Sequence, residues 1–218
     1  YWPAIQAVLK KHDILLVVDE VITGFGRLGS MFGADHYGLE PDLMTIAKGL
    51  TSAYAPLSGS IVGERMWKVL EQGTDEFGPI GHGWTYSAHP IGAAAGVANL
   101  KLIDELGLVE NAGTVGAYLN EKMAQALADH PNVGDVRGEG MLCAVELVED
   151  KAARAFFDPG KTVAARAVAA MLKRGVIARA MPQGDIIGFA PTLCLAKDEA
   201  DEIVRVTKEA VEETCSAL

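Results

Sequence analysis

Residues 14–20 read Ile14-Leu15-Leu16-Val17-Val18-Asp19-Glu20, five aliphatic side chains in a row closed by two acids. A run of that length without alternation marks a strand buried on both faces, and such strands belong to parallel sheets. Upstream, Trp2-Pro3 leads into an amphipathic stretch over residues 4–11, so a helix precedes the strand. The chain opens on Tyr1 rather than Met and is expected to begin in mid-domain. Downstream, residues 43–47 and 58–62 are further strand candidates, separated by loops that carry Gly and Pro. The expected fold class is α/β.

Further along, Pro90 stands where a helix can start, and residues 93–105 are rich in Ala and Leu before Gly107. Next, Val115, Leu119, Met123 and Leu127 recur every fourth residue and make one apolar helix face, which His130-Pro131-Asn132 stops. Short strands are expected at 142–148, 176–179 and 186–189, with helices at 163–174 and 198–215. A boundary near Gly107 then divides the chain into residues 1–107, part of a large sheet domain, and residues 108–218, a linking helix and a small α+β domain.

Composition narrows the function classes. With half of the 218 residues apolar and 22% charged, a dense core is expected and disorder is not. A net charge of -10 with no Lys/Arg stripe argues against a nucleic-acid partner. The longest aliphatic run, residues 14–18, is far too short to cross a bilayer, and no signal-peptide pattern opens the chain, so the cytoplasm is the expected location. Cys143, Cys194 and Cys215 are odd in number and widely spaced, which fits free thiols in a reducing compartment. The five histidines never fall at metal-ligand spacing on one helix face, and no metal is expected.

The strand that ends in Asp19-Glu20 admits three chemical readings. As the metal strand of a P-loop ATPase it needs a phosphate loop, and the one candidate, residues 155–162, has Ala155 where the first glycine belongs and no strand before it. As a dinucleotide fold it has Gly24-Phe25-Gly26-Arg27-Leu28-Gly29. Residues 30–42, however, carry Gly33, Gly38 and Pro41 and show no helical stripe to receive a pyrophosphate. The third reading follows the carboxylate. Ligands of open α/β sheets gather outside the carboxyl ends of the strands, where Asp19 would meet Lys48, placed directly after residues 43–47. An acid and a lysine converging from neighbouring strand ends suit pyridoxal 5'-phosphate. A buried carboxylate keeps the ring nitrogen protonated, and a lysine amine holds the aldehyde as a Schiff base and then shuttles a proton.

The segments Val18-Asp19-Glu20-Val21-Ile22-Thr23-Gly24-Phe25-Gly26-Arg27 and Pro41-Asp42-Leu43-Met44-Thr45-Ile46-Ala47-Lys48-Gly49-Leu50 together resemble the signature of the class III aminotransferases. The likeness extends through Gly83-Trp84-Thr85-Tyr86-Ser87-Ala88-His89-Pro90 to the segment around Arg179, in the family's order. It implies the fold type I architecture. The chain would then be the C-terminal part of the large, mostly parallel-sheet domain plus the small C-terminal α+β domain. It implies that Asp19 pairs with the pyridine nitrogen, that Val21 packs against the ring, and that Lys48 is the catalytic lysine. Thr85 would bind the cofactor phosphate across the interface of a homodimer with shared sites. Trp84 would add a backbone donor there or serve as an interface or core aromatic. Arg179 aligns with a mobile arginine of the omega-amine branch, which grips a substrate carboxylate and swings away for an apolar amine, or is a surface arginine at a strand end.

Where many family members carry Gln, this chain has Ile22, which cannot donate to the cofactor's ring hydroxyl and leans the resemblance toward the omega-amine branch. The resemblance also implies an upstream half holding a glycine/serine phosphate loop and a ring-stacking aromatic. The chain alone is therefore expected to be inactive. The implied reaction is ping-pong transamination from an amine or omega-amino acid to a 2-oxo acid such as pyruvate. A glutamate-semialdehyde-type aminomutase or a decarboxylating enzyme remains open within the cofactor class. Outside it stand a nucleotide-dependent ATPase or dehydrogenase and a silent dimerisation module.

Overall fold

The computed structural model describes residues 1–218, which form two compact units, Tyr1–Val109 and Glu110–Leu218. The first holds α1 (Trp2–Lys11), β1 (Val17–Asp19), α2 (Gly33–Tyr37), β2 (Leu43–Ile46), β3 (Gly59–Val62), α3 (Glu64–Phe77) and α4 (Pro90–Glu105). Its three strands lie in the order β1-β2-β3, with β1 parallel to β2 and β2 antiparallel to β3. The antiparallel return has a physical reason: only turns and one short 3-10 helix separate β2 from β3, whereas a parallel return needs a crossover of a dozen or more residues, usually an α-helix.

Two expectations for this unit are corrected. The 14–18 run is not buried on both faces: Val17 is 58% exposed and Ile14 51% exposed, because no helix layer of this unit covers both faces of β1. A helix also exists where none was expected, the five-residue α2. Its start is stabilised by a carboxylate from a distant position, which no local pattern records. Helix α3 has no counterpart among the expected elements, and it buries no residue in this unit. Helix α4 begins at Pro90, with His89 as N-cap accepting from the Ile91 amide through Nδ1 at 3.3 Å.

The second unit contains α5, which begins at Leu108 and runs to Leu127, β4 (Val133–Glu139), β5 (Leu142–Leu147), α6 (Val163–Lys173), β6 (Arg179–Ala180), β7 (Ile186–Phe189) and α7 (Lys197–Ser216). Its sheet is antiparallel throughout, in the order β4-β5-β7-β6. The four apolar positions read along α5 are all buried, and they join Val145 and Leu147 of β5, Ile187 of β7, Met171 of α6 and Val206 of α7 in one core. In β5 alternate residues face that core, the period-2 pattern of a sheet covered on one face. Burial pushes the Cys143 thiol up to about 11, which leaves it un-ionised at neutral pH. Strand β6 begins at Arg179, so residues 176–178 expected within a strand are irregular chain.

Candidate functional site

In the parallel pair, Val17, Val18 and Asp19 stand opposite Leu43, Met44 and Thr45, so both strands deliver their carboxyl ends to the same edge of the sheet. The Glu20 amide donates to the Thr45 carbonyl at 2.9 Å and carries the pairing one step past β1. At this edge the Asp19 carboxylate is fixed through one oxygen. Its Oδ1 accepts from the Val21 amide at 2.9 Å and from the Thr45 hydroxyl at 3.2 Å, while Oδ2 keeps its lone pairs. Asp19 was expected to be buried and is instead exposed, because it ends an edge strand with nothing packed over its tip.

The next residue behaves oppositely. Glu20 is fully buried, and its two oxygens accept from the Thr23 hydroxyl (2.5 Å), the Gly33 amide (2.9 Å) and the Ala34 amide (2.5 Å). A carboxylate at the start of a helix satisfies orphan donors and meets the positive end of its dipole. The first amides of α2 are therefore occupied by Glu20, which leaves the Gly24–Gly29 motif no helix start for a pyrophosphate. The P-loop alternative fares no better: Lys161 is ion-paired to Glu149 at 2.7 Å, and the Gly160 amide donates to Asp158 Oδ1 at 2.7 Å.

Lys48 lies two residues beyond β2, opens a 3-10 turn and is exposed, with its amine in no hydrogen bond or ion pair. Its φ is +41°, a left-handed conformation that a side chain adopts only when its surroundings impose it. Gly49 shows one constraint. A Cβ there would stand 3.1 Å from the Phe25 Cβ and 3.2 Å from the Gly24 carbonyl oxygen, so the loop after β2 is pressed against the loop after β1. A second comes from α4, where Asn99 Nδ2 donates to the carbonyls of Gly49 (2.8 Å) and Leu50 (3.2 Å).

Of the residues singled out in the sequence, Asp19, Val21 and Lys48 thus come together at one sheet edge. Trp84 and Thr85 lie in an exposed turn just before α4, where the Trp84 amide donates to Ser87 Oγ at 3.0 Å and no hydrogen bond joins Thr85 to Asp19 or Lys48. Arg179 belongs to the second unit, exposed at the start of β6 opposite Gly188. Glu20, Thr45 and Asn99 escaped the sequence reading. An asparagine inside an Ala-rich helix was the one available signal, since such residues favour caps and turns over helix interiors.

The model of the family described as aminotransferase class-III matches residues 1–211. The chain is 62% identical over its whole length to a diaminobutyrate–2-oxoglutarate transaminase of Halomonas elongata, covering 46% of that protein. It is 41% identical to a putrescine–pyruvate aminotransferase of Pseudomonas aeruginosa, again over all of the chain and 46% of the relative. Among solved structures, an (S)-enantioselective omega-transaminase from Thermomicrobium roseum superposes with a TM-score of 0.92 at 42% identity, over 98% of this chain and 46% of that one. A transaminase solved with L-alanine gives 0.95 at 40% identity, over all of this chain and 50% of that one. The chain spans about half the length of the curated relatives it matches, and its architecture is that of fold type I. By the family match and by these likenesses in sequence and structure, the chain belongs to the class III aminotransferases.

Proposed function

We propose that this chain carries the lysine-bearing part of a pyridoxal 5'-phosphate-dependent transaminase. The enzyme takes the amino group of a primary amine or omega-amino acid and gives it to a 2-oxo acid such as pyruvate in a ping-pong cycle. The observation that carries this is the pairing, on adjacent parallel strand ends, of an acid locked through one oxygen with a lysine whose amine has no partner. That donor set fits a cofactor with a basic ring nitrogen at one end and an aldehyde along the ring. The group, when bound, supplies an electron sink for the carbon that carries the amine.

Asp19 keeps a proton on the ring nitrogen through its free oxygen Oδ2, and the Thr45 hydroxyl and Val21 amide hold the carboxylate in register for it. Val21 would pack against the cofactor when bound. Lys48 Nζ would hold the cofactor and would move a proton to and from the substrate carbon. In a homodimer with shared sites, Thr85 in its exposed turn supplies a phosphate donor, with Trp84 beside it. Arg179 grips the carboxylate of the 2-oxo acid and withdraws for amines, consistent with its exposed position and lack of an ion-pair partner. Residues 1–107 then belong to the cofactor-binding large domain and residues 108–218 to the small one, in a cytoplasmic enzyme. The names of the two relatives support the donor class, since diaminobutyrate and putrescine each end in a primary amine.

In the full-length protein, Lys48→Ala should lower turnover of a diamine with pyruvate or 2-oxoglutarate by at least about 10²- to 10⁴-fold, the usual contribution of a proton-transfer residue. Turnover within two-fold of the unsubstituted enzyme would overturn the assignment.

A further inference from the structure

We infer that Asn99 of α4 is a positioning residue for Lys48, a role that rests on the reading of Lys48 as the cofactor lysine. The turn that presents the lysine is strained at three non-glycine residues. Lys48, Ser52 and Ala53 have φ of +41°, +49° and +64°, and such conformations persist only where the surroundings over-determine them.

Asn99 closes this turn from outside. Its Nδ2 donates to Gly49 O at 2.8 Å and Leu50 O at 3.2 Å, and its Oδ1 accepts from Ser52 Oγ at 2.7 Å. The amide cannot be flipped: both carbonyls are acceptors only, so the NH₂ group must face them and the oxygen must face the hydroxyl. One side chain therefore binds three groups within the five residues 48–52. Chain packing reinforces it. On the same face of α4, one and two turns earlier, a Cβ on Gly96 would meet Leu57 Cδ2 at 3.3 Å, and a Cβ on Gly92 would meet the Pro56 carbonyl at 3.2 Å. Gly92, Gly96 and Asn99 form a helix face on which the 49–57 backbone rests, and only Asn99 is polar there. An asparagine is a poor helix-interior residue, so this position bears a local conformational penalty that its three hydrogen bonds offset.

The consequence is kinetic. With the clamp gone, Lys48 is free to relax toward negative φ, which moves the root of its side chain relative to Asp19 while leaving pocket residues that recognise substrate in place. The test is made on the full-length protein with Asn99→Ala. In the cofactor-free form, hydrogen exchange at the Leu50 and Thr51 amides, which donate to Ala47 O and Lys48 O, should speed up about ten-fold or more through loss of several hydrogen bonds. In the loaded form, kcat per Lys48 site that borohydride can label should fall about 10- to 100-fold, the effect of a small misplacement of a reacting group, with KM for the amine within two-fold. A purely structural Asn99 would lower the fraction of labelled sites and leave kcat per site unchanged. Exchange at Leu50 and Thr51 unaltered, or kcat per labelled site within two-fold of the unsubstituted enzyme, overturns the inference. Should Asn99→Ala fail to fold, Ser52→Ala decides: loss of one hydrogen bond predicts about two- to ten-fold faster exchange at the same amides, and no change refutes the clamp. An unsubstituted protein whose Lys48 takes no label refutes the proposed function instead, and the exchange arm still answers for Asn99.

Discussion

Asp19 and Glu20 are neighbours with opposite fates, and the strand period explains why. Successive side chains of an extended chain point to opposite sides, so Asp19 emerges at the open sheet edge while Glu20 turns inward. There Glu20 binds one hydroxyl and two amides. Glu20→Ala would strand these three donors in a buried pocket, and unsatisfied buried groups each carry a penalty of about 1–3 kcal/mol. Chemical denaturation should therefore show destabilisation of at least ~3 kcal/mol, against under 1 kcal/mol if the carboxylate were a solvated surface group. The sequence drew attention to Asp19 and Lys48 because each stands at the end of a largely aliphatic run. It was silent on Glu20, whose partners lie 13 and 14 residues away at the start of a helix too short to leave a periodic trace.

At the scale of elements, legibility followed the regularity of burial. Helix α5 was visible because Val115, Leu119, Met123 and Leu127 all face one core, whereas β4 was not, since among its seven residues only Val133 is buried. What holds β4 is partnership with β5, including Arg137, which bridges Asp135 at 2.9 Å and Glu146 at 2.6 Å. Its end is set by a contact no pattern could reveal. A Cβ on Gly116 of α5 would stand 2.2 Å from the Gly140 carbonyl oxygen, and one on Gly138 would stand 1.9 Å from Asn120 Oδ1. Gly116→Ala should accordingly cost about 1–3 kcal/mol in unfolding free energy, the overpacking range, although alanine is the better helix former. An unchanged or raised midpoint would show that helix and hairpin are not so closely packed.

The turn after α5 also titrates. Burial holds His130 below its usual value, with Glu212 opposing and Lys151 adding to the effect, and its Nδ1 accepts from the Asn132 amide at 3.2 Å, which requires the neutral ring. The unfolded chain then binds this proton at about 6.5 while the folded one does not, so stability is retained above that pH and declines as pH falls below it toward the lowered folded value. His130→Asn, which keeps an acceptor near the same place, should flatten that part of the stability-against-pH curve. An identical slope in both proteins would contradict it.

Over the whole molecule the two units differ in how far they close their own cores. Residues Glu110–Leu218 build one continuous core from three helices and four strands, which is why composition and periodicity sufficed to foresee most of it. Residues Tyr1–Val109 leave Val17, Ile22, Trp67, Phe77, Trp84 and Ile91 each more than half exposed, around a sheet of three strands. Strand burial foreseen from residues 14–18 requires layers on both faces, and in this unit those layers are not formed. No helix is long and apolar enough to cross a membrane. The chemistry we propose lies in the less closed unit, at the edge where β1 and β2 end.

The central claim, that this edge holds pyridoxal phosphate on Lys48, is tested most directly by adding the cofactor to the full-length protein, reducing with borohydride and mapping the peptides by mass spectrometry. A phosphopyridoxyl group on Lys48, absent from Lys48→Ala, is the predicted result. Label on another lysine, or none despite saturating cofactor, would contradict the account.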